Sequence, residues 1–324
     1  MKYKITLIVL LLSIVIMKSS IEIHTVEQET EDRKAIYELY SKYTEIPWYL
    51  IGAIDQYERN TKAFKSYCPK EDELISICID PIIWQGRDNP FDNDNNPMTI
   101  SMFFGIGLDG NSDGFADRLN PYDRLITLLS YLTMNGKNSD DIRNSLIDYY
   151  ENEEGVRIIY EIAGLFQEFE IIDLSKRVFP IPKYYDSAYT NGFGAGRSYG
   201  GRRSHEGIDI FAHYGTPVLS TSYGVVEKIG WNRYGGYRIG IRDYYNTYQY
   251  YAHLQGYKKG LKEGDYVKPG DVIGFVGSTG YGKEGTSGRF APHLHFGLYK
   301  YDGKREWSFN PYNFIRKWER ISLR

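Results

Sequence analysis

The chain has 324 residues, 42% apolar and 16% aromatic, which is enough for two globular domains with separate cores and excludes a disordered or fibrous polymer. Formal net charge is only −3, but from Lys183 onward 21 Lys and Arg stand against 12 Asp and Glu, whereas the residues before it carry 18 against 30. The basic half suits a polyanionic partner, and with no base-reading or RNA-binding motif in the chain, no nucleic acid is expected there.

Met1, Lys2 and Lys4 lead into an apolar run from Ile5 to Leu12 that continues through Ser13 to Met17 and stops at Lys18. A positive start followed by an apolar stretch shorter than the roughly 20 residues of a comfortable membrane span reads as an export signal. It occupies residues 1–24. No small-x-small cleavage site follows, so a retained anchor with N-terminal membrane association is the alternative. In both cases the rest of the chain is expected outside the cytoplasm, either secreted or in the cell wall, or anchored facing outward. Cys68 and Cys78 fit a local disulfide in an oxidising compartment, or two buried free thiols.

Residues 25–178 read as an all-α domain. Ile36, Leu39, Tyr40 and Tyr43 recur at helical spacing, Pro47 opens the next helix, and Leu50, Ile51, Ile54 and Tyr57 continue the period. Further helices are predicted at Asp123 to Met134, at Ser139 to Tyr150 with Ser139 as N-cap, and at Gly155 to Phe169. Asp88 to Asn96 is an Asp/Asn/Pro-rich loop. Asp109, Asn111, Asp113 and Asp117 put oxygen ligands at positions 1, 3, 5 and 9 of a loop with Gly114 at 6, the beginning of an EF-hand-like Ca2+ site. Asn120 stands at position 12 in place of a bidentate Glu, and a solvated Asp/Asn turn is the alternative.

Pro180 and Pro182 interrupt the chain, and residues 179–190 read as a linker. From Asn191 the sequence turns Gly-rich, with alternating runs at Gly224 to Ile229, Tyr237 to Arg242, Thr247 to Ala252 and Asp271 to Val276. Residues 191–324 are therefore an antiparallel β domain, closed by a short helix around Pro311 to Trp318. The fold class is a two-domain α+β protein.

Five of the six histidines follow residue 200, and four of them sit in three short motifs. In His205-Glu206-Gly207-Ile208-Asp209 the offset of four lets an imidazole and a carboxylate converge on one ion. In His293-Leu294-His295-Phe296 strand alternation sends both imidazoles to one side. Tyr251-Ala252-His253-Leu254 ends a predicted strand. Catalytic zinc sites take three protein ligands, and two imidazoles with one carboxylate leave the ion a strong Lewis acid. Two further histidines then serve proton transfer and oxyanion stabilisation. His213 matches no motif position and reads as structural, and His24 carries nothing legible. Tyrosines flank the motifs at Tyr199, Tyr234, Tyr237, Tyr250 and Tyr251 as ordinary strand residues, with a substrate-holding rim as the other reading. The Gly-rich loop Ser278 to Arg289 is expected to wall a groove, with a plain long hairpin loop as the other reading.

Together with Gly264-Asp265-x-Val267-x-x-Gly270 and Gly277-Ser278-Thr279-Gly280, these motifs resemble, in order and spacing, the lysostaphin-type, LytM-like zinc endopeptidases of peptidoglycan. The resemblance implies His205, Asp209 and His295 as zinc ligands, His253 and His293 as catalytic histidines, and a compact antiparallel sheet with the site in a groove. Peptidoglycan is the partner it implies, a polyanion consistent with the basic half. In length and two-domain arrangement the chain is also similar to the L-Ala-D-Glu endopeptidases that trim spore cortex in bacilli.

The Asp109 loop, followed by Asn120-Pro121-Tyr122-Asp123 and a helix, resembles lytic transglycosylases of the lysozyme-like superfamily. Pro47 to Glu58 is similar to the helix ending in their catalytic acid, which implies Glu58 as a glycan-site residue. Their Gly-x-Met-Gln-Phe segment is missing, with Trp84-Gln85-Gly86 its nearest remnant. The expected function is a zinc metalloendopeptidase acting on peptidoglycan stems or cross-links. The alternatives are a non-catalytic wall-binding or amidase-activating module, and a glycan-cleaving enzyme working through Glu58.

Overall fold

The computed structural model describes residues 28–69, 73–198 and 202–322, and the expected export segment at 1–24 and Tyr199 lie outside them. No helix among the described residues is long and apolar enough to cross a membrane. The chain divides into two compact units, one of residues up to Asp55 with Tyr67–Ser145, the other of Gln56–Ser66 with Leu146 onward.

The first unit is helical. It draws on α1 (28–44), α2 (Trp48–Thr61), α3 (Pro81–Gln85), α4 (Pro97–Met102), α5 (Pro121–Thr133) and α6 (Ser139–Tyr150). Leu125, Leu128, Leu129 and Leu132 recur at helical spacing on α5 and are all fully buried. The buried Asp55 carboxylate accepts from Tyr37 Oη at 2.6 Å, Arg33 Nη2 at 3.3 Å and the Ser76 amide, so its charge is compensated where water cannot reach. Cys68 and Cys78 are joined in a disulfide rather than left as free thiols.

Capping chemistry sets the helix starts. Asn120 accepts from the amides of Tyr122 and Asp123 with Pro121 in the first turn, so α5 begins two residues before its expected start. Asn152 accepts from the Gly155 amide and moves the start of α7 (Glu153–Phe169) in the same way. The N-cap expected at Ser139 is corrected to Asn138, whose Oδ1 accepts from Asp140 N at 3.0 Å and Asp141 N at 2.9 Å. An amide oxygen one residue upstream reaches the first-turn N–H groups that Ser139, itself inside the turn, cannot.

The second unit is built on an antiparallel sheet. Its path runs β1 (Ser187–Tyr189), β4 (Ile208–Ala212), β11 (His293–Tyr301), β8 (Thr247–Tyr257), β7 (Gly236–Arg242), β6 (Gly224–Asn232) and β9 (Tyr266–Val267). Off this path, β10 (Val272–Val276) pairs with β5 (Pro217–Leu219) and β8, and β12 (Glu306–Phe309) pairs with β11. Separately, β2 (Gly196–Arg197) pairs antiparallel with β3 (Arg203–Ser204). The core takes alternate residues of the central strands: Ile208 and Ile210, Ile239 and Ile241, Leu294 and Phe296 are all fully buried. The terminal helix α8 (Tyr312–Ser322) covers it with Ile315 and Trp318, the latter edge-on to Phe296 at 6.2 Å. Each such buried aliphatic or aromatic side chain contributes about 1.5–3 kcal/mol.

Two segments differ from the boundaries read in the sequence. Residues 179–190, expected as a linker, place Phe179 and Ile181 in the sheet's core and Ser187–Tyr189 in the sheet itself. Phe179 before the first proline and Ile181 between the two have a core to enter. Helix α7, expected with the all-α domain, lies in the second unit: Arg157 reaches Glu227 of β6 at 2.9 Å, and Phe169 packs against Tyr223 and Tyr266.

Candidate active site

In the sheet, β11 is hydrogen-bonded to β4 on one side and to β8 on the other, so that His295 lies opposite Asp209 and Ala252. Leu294 and Phe296 take the core face, and strand alternation therefore turns His293 and His295 to the open face. Asp209 shares that face because Ile208 and Ile210 flank it in the core. His205 arrives from the turn before β4, pinned by its amide to Ala195 O at 3.0 Å and by its carbonyl to Gly194 N at 2.9 Å. Glycine at 207 permits the close approach of this turn: a Cβ there would lie 2.5 Å from Phe296 O and 2.8 Å from His295 Nε2.

His205 Nε2, Asp209 Oδ1 and His295 Nδ1 form a triangle whose three sides are each 3.0 Å. Tetrahedral zinc with bonds of about 2.0–2.1 Å spans donor–donor edges of about 3.3 Å, so a small outward shift accommodates it. Donor chemistry agrees. His205 Nδ1 faces Gly192 O at 2.8 Å, which places the neutral ring's proton there. Nε2 then directs a lone pair at a carboxylate oxygen and a second ring nitrogen, a repulsion that a divalent cation relieves. Burial alone would raise the Asp209 carboxyl; wherever His205 and His295 are protonated toward it, their bonds and charge instead hold it far below the usual carboxylate range.

His253 and His293 stand beside this triangle. His253 adopts a left-handed backbone, φ 61°, where its amide donates to Gly235 O at 2.7 Å. Its Nδ1 bonds Thr279 O at 2.7 Å, and His293 Nδ1 bonds Ala291 O at 2.8 Å, so Nε2 is the available nitrogen on both rings. The ring centroids are 4.8 Å apart, and His293 Nε2 lies 3.7 Å from Asp209 Oδ1. Burial, followed by the neighbouring charges of His293 and His295, pushes His253 down to about 3, and burial lowers His293 and His295 as well. Phe290 frames the pair, 4.7 Å from His253 and 5.1 Å from His293.

All five residues line one open cavity of about 490 Å³, with Tyr281 and Phe290 from the Gly-rich loop and its end forming part of the wall. Tyr234 and Tyr250 also line it, whereas Tyr251 is fully buried with its hydroxyl on Gln249 at 2.7 Å. His213 is exposed beyond the end of β4. Three arginines escaped the sequence reading: Arg197, Arg203 and Arg289 all face the cavity. Arg197 Nη2 contacts Asp209 Oδ2 and lies 3.1 Å from His205 Nε2. The signal available for Arg197 and Arg203 was position alone, within a Gly-rich stretch just before His205.

The other expected sites are placed as follows. Glu58 is fully buried, its carboxylate held by Lys65 Nζ at 2.6 Å and Tyr150 Oη at 2.8 Å. In the Asp109 loop the oxygens turn onto backbone. Asp109 accepts from Gly114 N at 2.8 Å, Asn111 from Asp113 N at 3.0 Å, Asp113 from Phe115 N at 2.9 Å and Asp117 from Leu119 N at 2.8 Å. The buried Asp123 ties the loop to α5 through the amides of Gly110 and Asp117.

A sheet that gathers two imidazoles and a carboxylate within ligand reach, with two more imidazoles in the same groove, defines a metallopeptidase of the zinc type. Residues 203–311 match the model of peptidase family M23. Over 288 residues the chain is 50% identical to the L-Ala--D-Glu endopeptidase of Bacillus subtilis strain 168, covering 89% of this chain and 88% of that protein. The chain belongs to peptidase family M23. It is also 45% identical over 94 residues to lysostaphin of Staphylococcus simulans, which is 28% of this chain and 17% of that protein. Among solved structures, the catalytic domain of lysostaphin from Staphylococcus simulans is 36% identical, covers 41% of this chain and 93% of its own, and gives a TM-score of 0.33.

Proposed function

We propose that the second unit hydrolyses the L-Ala–D-Glu amide of peptidoglycan stem peptides, with His205, Asp209 and His295 holding zinc and His253 and His293 moving protons. The observation that carries the ligand set is the 3.0 Å triangle of donors beside two backbone-anchored imidazoles. The bond is drawn from the relative that is 50% identical, whose name states it, and the wall substrate from the resemblance to the lysostaphin-type peptidoglycan endopeptidases.

Zinc, when bound, polarises the scissile carbonyl and makes water nucleophilic at neutral pH. The chain's own residues do the rest. Burial keeps His253 and His293 uncharged, and their Nδ1 bonds to Thr279 O and Ala291 O fix both rings with Nε2 as the proton acceptor. Once protonated, the same Nε2–H groups donate to the tetrahedral oxygen and then to the departing amine. Asp209, held ionised, offsets the positive charge that gathers beside it.

Digestion of purified peptidoglycan followed by mass spectrometry tests this reading. New amino termini on D-Glu are expected; anhydro sugar ends without new amino termini would discard it in favour of glycan cleavage. The charge compensation and complete burial of Glu58, which lies in the Gln56–Ser66 segment of the second unit, weigh against glycan cleavage through that carboxylate. The apolar run after Lys4 supports export, followed by secretion or membrane anchoring, and the likeness in length and two-domain arrangement to the L-Ala-D-Glu endopeptidases of spore cortex supports a role there. Ligand spacing supports Ca2+ at Asp109, Asn111, Asp113 and Asp117, for which a calcium titration of the protein is the test.

A further inference from the structure

An enzyme that cuts L-Ala–D-Glu meets a charge that a Gly-Gly bond does not present. The carbon bearing the scissile nitrogen of D-Glu also carries a free α-carboxylate, because the stem continues through the γ-carboxyl. That anion enters the groove two bonds from the reacting nitrogen and must be desolvated or paired.

We infer that Arg203 recognises this α-carboxylate and sets the enzyme's preference for an acidic residue on the amine side of the cut, an inference that rests on the bond proposed above. Arg203 lies on β3 in the wall of the catalytic cavity. Its guanidinium carbon sits 5.3 Å from the Tyr234 ring centroid and 5.1 Å from that of Tyr281, and its Nη2 donates to Tyr281 Oη. Two aromatic faces and a hydroxyl orient the planar fork, the geometry by which arginine binds a carboxylate through two parallel hydrogen bonds. Tyr281 in turn stacks on His253, ring centroids 6.0 Å apart and 18° from parallel. The fork is therefore one ring removed from a histidine assigned to deliver a proton to the leaving amine, whose carbon bears the α-carboxylate.

The other groove charges are engaged differently. Arg197 contacts the metal-site carboxylate of Asp209. Arg289 is exposed and donates to the Tyr281 carbonyl at 2.8 Å. The acid Glu206 accepts from Tyr299 Oη at 3.2 Å, where Tyr299 packs against Tyr250, which in turn packs against His295. Arg203 on Tyr281 and Arg289 on the Tyr281 carbonyl thus put two cations on the His253 side of the cavity, which suits a stem whose one charge near the cut is negative.

The test uses two N-acetylmuramoyl tripeptides, L-Ala-γ-D-Glu-diaminopimelate with the α-carboxyl free and the same molecule with it amidated. The full zinc-loaded chain is expected to favour the acid in kcat/KM by about 30-fold or more, the loss typical of an unpaired charged partner. Arg203→Met is expected to lose the preference itself, its kcat/KM on the acid falling to its own value on the amide; Arg203→Lys, with charge but no fork, falls between. A preference retained in Arg203→Met, or equal loss on both substrates, overturns the assignment. Equal rates on acid and amide for the unaltered enzyme overturn it without any variant. Cleavage of whole peptidoglycan at another amide, with neither tripeptide cut between L-Ala and D-Glu, overturns the proposed bond as well and so is told apart from a failure of Arg203 alone.

Discussion

Glu161 on α7 and Glu227 on β6 share two guanidinium groups. Arg157 Nη1 contacts Glu161 and reaches Glu227 at 2.9 Å, while Arg242 contacts Glu227 through Nε and lies 3.3 Å from its other oxygen through Nη2. Burial, then the charge of Glu227, pushes Glu161 up to about 8, whereas Glu227 is held low by Arg242 despite its own burial. The pair therefore keeps one proton through the neutral range, on Glu161. In the unfolded chain that carboxyl titrates near 4.5, so between the two values the folded state binds the extra proton. The associated stability is fully present below the unfolded value and is lost as pH rises through the folded one. One proton changes stability by at most about 1.4 kcal/mol per pH unit, or about 3 kcal/mol from about pH 5.5 to about pH 7.5. Glu161 is 19% exposed, so water screens little of this. Glu161→Gln keeps the shape and removes the titration. Urea unfolding followed by tryptophan fluorescence at both pH values should show the unaltered protein losing about 2–3 kcal/mol relative to the variant, a midpoint shift of roughly 1 M. Parallel pH profiles for the two proteins would refute the shared-proton reasoning.

Other expectations follow from the site and the core. His253→Ala should retain zinc and lose about 10²- to 10⁴-fold in kcat on peptidoglycan, and loss of zinc in this variant would move His253 into the ligand set. Asp209→Asn should weaken zinc retention in a chelator competition without unfolding the sheet, because the amide keeps the size of the carboxylate but not its charge. Phe296→Ala opens a cavity behind the site, between Tyr251 at 5.1 Å and Trp318 at 6.2 Å, and should destabilise the second unit by about 3–5 kcal/mol in urea unfolding.

The legible parts of this protein were those where chemistry and period coincide. Leu294 and Phe296 alternate with His293 and His295, so one strand declares both a core face and a reactive face. The offset between His205 and Asp209 did bring their side chains together, but through a turn whose closure depends on the missing Cβ of Gly207, a distance no spacing rule contains. Strand lengths were less readable: β8 extends to Tyr257, beyond the run seen as far as Ala252, because β10 pairs with its far end. The membership of α7 was hidden for the same reason. Its amphipathic pattern promises a partner face without naming it, and the partners, Glu227 and Tyr223, lie more than fifty residues downstream. Arginines 197, 203 and 289 acquire meaning only from the cavity they share, since a lone arginine in a Gly-rich stretch reads as a solvated charge.

Anomalous X-ray scattering at the zinc edge, on crystals grown with one equivalent of the metal, goes most directly to the centre of this proposal. A single peak bonded by His205 Nε2, Asp209 Oδ1 and His295 Nδ1 at about 2.0–2.2 Å is expected, with a coordination position open toward His253 and His293. A peak elsewhere in the chain, or none between those three atoms, contradicts it.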